Sequence, residues 1–149
     1  MRAVIQRVIS SRVEVDGIVR GAIERGLLVL IGVHKDDGVA SSDYIADKII
    51  NLRIFEDALG KMNLSLAEVG GKVLIVSQFT LYGDARKGRR PGFSEAAAGI
   101  DAESHYMSVC EKVSNAGIHV EKGIFGADMQ VHLINDGPVT ILLDSDRAF

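Results

Sequence analysis

A chain of 149 residues, 47% apolar and 25% charged, is about one domain's worth of sequence, able to bury roughly two thirds of its unfolded surface without staples. Its single cysteine, Cys110, rules out an internal disulfide, and a net charge of -3 makes no general case for nucleic acid, leaving that to a local patch. The opening "MRAVIQRV" lacks the basic region and long apolar core of a signal peptide, and the longest apolar run, "GLLVLIGV" at 26–33, is too short to span a bilayer. A cytoplasmic protein with no membrane role is expected.

In chain order, residues 2–8 read as a strand, and residues 12–23 alternate on either side of Asp16-Gly17, a strong short hairpin signal. The run 26–33 suits a strand buried on both faces. After the polar turn "HKDDG", a helix is predicted from about Ser42 to Phe55, with Ile45, Ile49 and Leu52 on one stripe and Ser41 or Ser42 as its cap. "EDALGKMN" reads as a loop, residues 72–79 as another buried strand, and "TLYGDARKGRRPGFS" as a long glycine-rich connection. A second helix is predicted over 101–116, with Ala102, Tyr106, Val109, Cys110 and Val113 as its apolar stripe and Gly117 at its end. The last third, "IHVEKGIF", "DMQVHLI" and "PVTILLD", is β again, with a break at "NDGPVT" (135–140), since proline cannot donate to a ladder. The expected fold is one α+β domain over 1–149, a mostly antiparallel or mixed, barrel-like sheet covered by two helices.

The common catalytic constellations are missing from the sequence. His34, His105, His119 and His132 form no HxH or HxxxH pair, so no metal site is expected. There is no G-x-S-x-G elbow, no P-loop and no G-x-G-x-x-G after a strand, and no cofactor is implied. Cys110 reads as a small core hydrophobe. What remains is "SQFT" (77–80), polar groups placed where a buried strand leaves the core, and "ARKGRRP", with Arg86, Lys87, Arg89 and Arg90 close together in an otherwise acidic chain. A solvated turn explains most such clusters, but here the glycines and the adjacent "SQFT" favour contact with phosphates.

The segments "SQFT", "KMN" (61–63), "RKGRRP" (86–91), "FGADMQV" (125–131) and "NDGPVT" (135–140) together resemble the D-aminoacyl-tRNA deacylase family, from "MRAVIQRV" to "VTILLDS". The sequence departs from that pattern at "RPGF" and "AAAG", both in the long connection. The resemblance implies an enzyme that hydrolyses the ester joining a D-amino acid, or glycine, to the terminal adenosine of tRNA while sparing the L-form, a chiral proofreading activity in translation. It also implies a homodimer in which a cis Gly137-Pro138 peptide from one subunit enters the neighbour's pocket. There it would bind the substrate ammonium and exclude an L side chain by rigid backbone.

By the same resemblance Ser77, Gln78, Phe79 and Thr80 hold the adenosine and the ester, and Phe125, Ala127 and Met129 line the adenine pocket, although their alternation also suits a core strand face. Arg7, a charge inside an apolar strand, is then the side chain that secures the Gly-Pro loop, and the basic loop meets acceptor-stem phosphates. Thr80 as nucleophile lacks a neighbouring base. Attack by water assisted by the substrate's own ribose hydroxyl is the preferred route. A non-catalytic RNA-binding module and a generic Ser/Thr esterase are the alternatives.

Overall fold

One strand organises the sheet. In the computed structural model, which describes residues 1–148, β1 (Arg2–Val15) pairs along one edge with β3 (Gly26–Gly32) and then β2 (Ile18–Ile23), and along the other with β8 (Gln130–Asp144). The sequence suggests a gap between residues 8 and 12, but the chain stays in the ladder. Ser11, turned inward, donates its hydroxyl to the His132 carbonyl at 2.8 Å, so its burial leaves no polar group unpaired.

β6 (Lys72–Ser77) and β7 (Val120–Lys122) extend the sheet from β3 in parallel, giving the order β2-β1-β3-β6-β7 with β8 on β1. Parallel strands buried on both faces need apolar residues at successive positions, which "GLLVLIG" and "KVLIVS" provide. Val29, Ile31, Val73 and Ile75 point into the main core beneath the helices; Leu28, Leu74 and Val76 point into a second core with Val8, Val13 and Ile23. The sheet is therefore mixed, curled around that second core, and covered by helices on one side.

The two helices are α1 (Val39–Asn51) and α2 (Gly99–Asn115). α1 begins three residues earlier than expected and stops before Phe55, which is buried and opens β4 (Phe55–Glu56), paired with β5 (Met62–Leu64). Gly38 sits at the N-cap with no side-chain cap. Ser42, expected as the cap, is fully buried and meets His105 Nδ1 at 3.2 Å, tying α1 to α2. In α2 the stripe from Ala102 to Val113 is buried as its spacing predicts, and Gly117, with φ of +85°, follows the helix end. Tyr106 reaches the sheet and donates its hydroxyl to the Ile75 carbonyl at 2.7 Å. Burial pushes the Cys110 thiol up to about 11.

β6 ends at Ser77, two residues short of the expected end, and a 3₁₀ turn takes over at Phe79–Tyr82. The strand expected over 118–125 contracts to three residues, Val120–Lys122. Among the described residues no cluster of acidic, histidine or cysteine side chains is fit to hold a metal, and no helix is long and apolar enough to cross a membrane.

Candidate active site

The last rung of β6 is the Gln78 N–H donating to the Ile31 carbonyl at 2.7 Å. The chain then tightens into the 3₁₀ turn, whose first internal bond runs from the Leu81 N–H to the Gln78 carbonyl. The N–H groups of Phe79 and Thr80 precede that bond, and among the described residues they donate to nothing.

Beside this strand end lies a cavity of about 570 Å³, within the usual range for a small-molecule site. Ser77, Gln78 and Phe79 form one side; Phe125, Ala127 and Met129 form the facing side; residues 96–99 close the back. The odd positions 125, 127 and 129 are half-buried while 124, 126, 128 and 130 are exposed, so the alternation seen in the sequence turns one set inward, although the segment is not a ladder strand. Phe125 is backed by Tyr106, ring centroids 5.7 Å apart. Thr80 lies outside the lining and is exposed; its hydroxyl meets the Gln78 carboxamide at 2.5 Å and no basic group.

The Gly-Pro segment is built differently. The structure corrects the expected break at 135–140: β8 continues through it, with Val8 opposite Asn135 and Gln6 opposite Thr140. Residues 136–139 thus face the single residue Arg7 and are pushed out as a bulge. Its crest, Gly137 and Pro138, is exposed, and the peptide between them is cis.

Two side chains fasten the bulge. Arg7, 5% exposed, donates Nε to the Asp136 carbonyl at 3.2 Å and Nη1 to the Ile54 carbonyl at 2.8 Å, and also faces the Asp136 carboxylate at 3.2 Å. Asn135 accepts the Val139 N–H at 3.0 Å and donates to the Thr140 hydroxyl at 3.1 Å. Gly137 has φ of +120°, and a Cβ there would stand 3.0 Å from Arg7 Nη2 and 2.9 Å from Val139 Cγ2. No side chain fits at this position without moving Arg7 or Val139.

The cavity and the bulge do not meet within one chain. Arg7 pairs with Leu27 and Ser77 with Ile31, about 13 Å along β3 at about 3.3 Å per residue, and β8 lies three strand spacings, about 14 Å, from β6.

The basic loop hangs from the cavity's rim. Asp84 and Gly92 form a two-way backbone bridge at 2.8 and 2.9 Å, and residues 85–90 beyond it are exposed. Arg86 is committed to Asp84, Nε at 2.9 Å and Nη2 at 2.7 Å, and this fork holds the Asp84 carboxyl down to about 2. Lys87, Arg89 and Arg90 have no carboxylate partner among the described residues.

Residues 4–144 match the family described as D-Tyr-tRNA(Tyr) deacylase. The chain belongs to that family. It is 63% identical over 149 residues to the D-aminoacyl-tRNA deacylase of Anaeromyxobacter dehalogenans and 59% identical to that of Thermosipho africanus, in both cases over 100% of each chain. Among solved structures it is similar to one described as a c-Myc DNA unwinding element binding protein, with TM-score 0.90, 41% identity and coverage of 97% of this chain and 98% of that one. A second, described as a probable eukaryotic D-amino acid tRNA deacylase, shares the fold at TM-score 0.80 and 20% identity, covering 95% and 97%.

Sequence reading of this deacylase-family chain misses two residues that the geometry singles out. Phe93 lines the cavity beside Phe79, ring against ring; its signal is a lone aromatic at the return of a polar loop, which alone is too common to stand out. Asn135 is visible as part of "NDGPVT", but its bonds to Val139 and Thr140 depend on a bulge that its spacing does not announce.

Proposed function

We propose that the protein hydrolyses the ester of D-aminoacyl-tRNA, and of glycyl-tRNA, at the cavity beside Ser77–Phe79, rejects the L-form, and acts in the cytoplasm as a homodimer. The coarser part follows from family: a member of this family is a hydrolase acting on the aminoacyl-tRNA ester. The observation carrying the rest is the separation of two site halves. The cavity is walled mostly by apolar side chains, with the exposed Asp128 as the one carboxylate in its lining, while the fastened, exposed Gly137-Pro138 crest lies outside that lining. A second copy presenting its crest to this cavity joins them.

In this reading the adenosine enters between Phe79 and Phe125, with Ala127 and Met129 beneath it. Carbonyls of the partner's crest bind the α-ammonium group and occupy the space an L side chain would need. Water attacks the ester carbonyl carbon, the neighbouring ribose hydroxyl relays the proton, and the leaving ribose oxygen receives it. The N–H groups of Phe79 and Thr80, which donate to nothing among the described residues, serve in this reading as the donors to the developing oxyanion. Thr80 positions the ester and is not the nucleophile; its exposed hydroxyl has no base. Ser77 and Gln78 orient the ribose. Lys87, Arg89 and Arg90, with Arg86 holding their loop through Asp84, meet backbone phosphates.

The test presents D-tyrosyl-, L-tyrosyl- and glycyl-tRNA and a simple ester, with and without chelator. Release from the D- and glycyl forms alone supports the reading. Binding without release indicates a non-catalytic RNA-binding module, and cleavage without chiral preference a generic esterase. Thr80→Ala keeps hydrolysis within about tenfold of wild type, the span of one lost hydrogen bond; complete loss with substrate binding intact restores the nucleophile role.

A further inference from the structure

We infer that Phe79 and Phe93 form a stacking platform for the unpaired nucleotide preceding the terminal adenosine of the RNA substrate, a subsite that rests on the deacylase reading above. The two rings meet edge to face, centroids 5.1 Å apart at 69°, on the mouth of the cavity. They remain 56% and 36% exposed, an uncovered aromatic surface that folding alone does not require.

Their position is fixed by backbone. The Asp84–Gly92 bridge brings the chain back at Phe93, whose carbonyl accepts the Ala96 N–H at 3.1 Å, and the Ala97 N–H then donates to Val33 at 2.9 Å. Gly83 leaves the seat for the ring: a Cβ there would stand 3.2 Å from Phe93 Cε1 and 3.0 Å from the Thr80 carbonyl. The Phe93 ring is therefore seated against the end of the turn that carries Phe79 and Thr80.

The occupant is set by what lies on either side. Inward is the cavity for the terminal nucleoside. Outward, beyond the Asp84–Gly92 bridge, are Lys87, Arg89 and Arg90, without carboxylate partners among the described residues. A strand of RNA leaving the cavity passes aromatic faces and then cations, the arrangement that holds single-stranded nucleic acid through stacking and phosphate contact without reading sequence. A neutral protein surface would leave those cations unanswered.

The experiment compares three minimal substrates acylated with D-tyrosine at the terminal ribose: adenosine, the dinucleotide CpA, and the same dinucleotide with an abasic ribose in place of cytidine. Wild type is expected to show kcat/KM about tenfold higher on CpA than on the abasic form, since stacking contributes about 1–3 kcal/mol per base. Phe93→Ala and Phe93→Leu, the latter keeping bulk over Gly83, lose that ratio through KM, with a loss on CpA larger than any loss on the adenosine ester; Phe93→Tyr restores it. Equal wild-type rates on CpA and the abasic form, or an equal drop of the Phe93 variants on all three substrates, overturn the platform. Failure of wild type to cleave any of the three removes the deacylase reading instead, and this inference with it.

Discussion

β6 and β8 each depart from regularity once, and they do so in opposite senses. At Ser77 the strand stops and its continuation curls into a concave, aromatic-walled cavity. At Asn135 the strand goes on, and the four residues set against Arg7 rise as a convex crest held by Arg7 and Asn135. The concave region is shaped by apolar side chains from several elements and tolerates small adjustments. The convex one is backbone, fixed by hydrogen bonds from below, and has little slack. One is suited to accepting a shape, the other to imposing one.

The sharpest way to break that contrast is Arg7→Ala. It strips the Ile54 and Asp136 carbonyls of their partner, at about 1–3 kcal/mol for each buried group left unpaired. A lower urea midpoint is expected, with kcat/KM on D-tyrosyl-tRNA reduced on the order of 100-fold by the displaced crest. Adenosine affinity, a property of the cavity alone, stays within twofold by calorimetry, about the scatter expected for an uncoupled site. A matched loss of adenosine affinity would show that the two regions are not separable.

Asn135→Ala acts on the same crest more gently. With two hydrogen bonds at about 1 kcal/mol each, about 30-fold is lost from kcat/KM, and Asn135→Asp, which keeps the acceptor for the Val139 N–H, recovers part of it. An unchanged D-to-L rate ratio in Asn135→Ala would leave the crest fastened by Arg7 alone.

Removing Arg89 and Arg90 together tests the cavity's outer rim. The slope of log affinity against log salt for tRNA should fall by about 1.4, at about 0.7 per phosphate on a single strand, with rates on the bare adenosine ester unaffected. Identical slopes would mean that the loop is only solvated.

The smallest effect at neutral pH lies behind the cavity wall. Cys110 has a thiol raised to about 11 from an unfolded value near 9, and the raised Tyr106 hydroxyl beside it has the same cause, burial. A group held neutral in the fold stabilises below its unfolded pKa and loses that contribution as pH rises through the folded one. Stability should therefore fall by about 1.4 kcal/mol per pH unit between pH 9 and 11, and Cys110→Ala should flatten that limb in urea titrations at successive pH values.

Much of this was legible in advance. The helix stripes, the doubly buried strands and both polar segments stand out in the sequence because each is a local pattern of period or composition. The failures have a common origin in long-range pairing. Ser10 and Ser11 look like a strand end until the His132 carbonyl, 121 residues away in sequence, accepts the Ser11 hydroxyl. Ser42 looks like a cap until α2 supplies His105. Pro138 looks like an interruption until β1 proves able to skip past it in register. For the site, the residue types were readable but their grouping was not: that Ser77 joins Phe125 and Met129, while Gly137 lies far across the sheet, is fixed by strand order.

The pairing of β1 with β8 also bears on the chain's synthesis. About 115 residues separate the end of one from the start of the other, and at about 5–20 residues per second the first strand leaves the ribosome on the order of ten seconds before its neighbour is made. Throughout that interval Val4, Ile5 and Val8 lie along an unpaired margin. The nascent protein is then most exposed to misassociation along this margin, and the sheet closes only once β8 has been made.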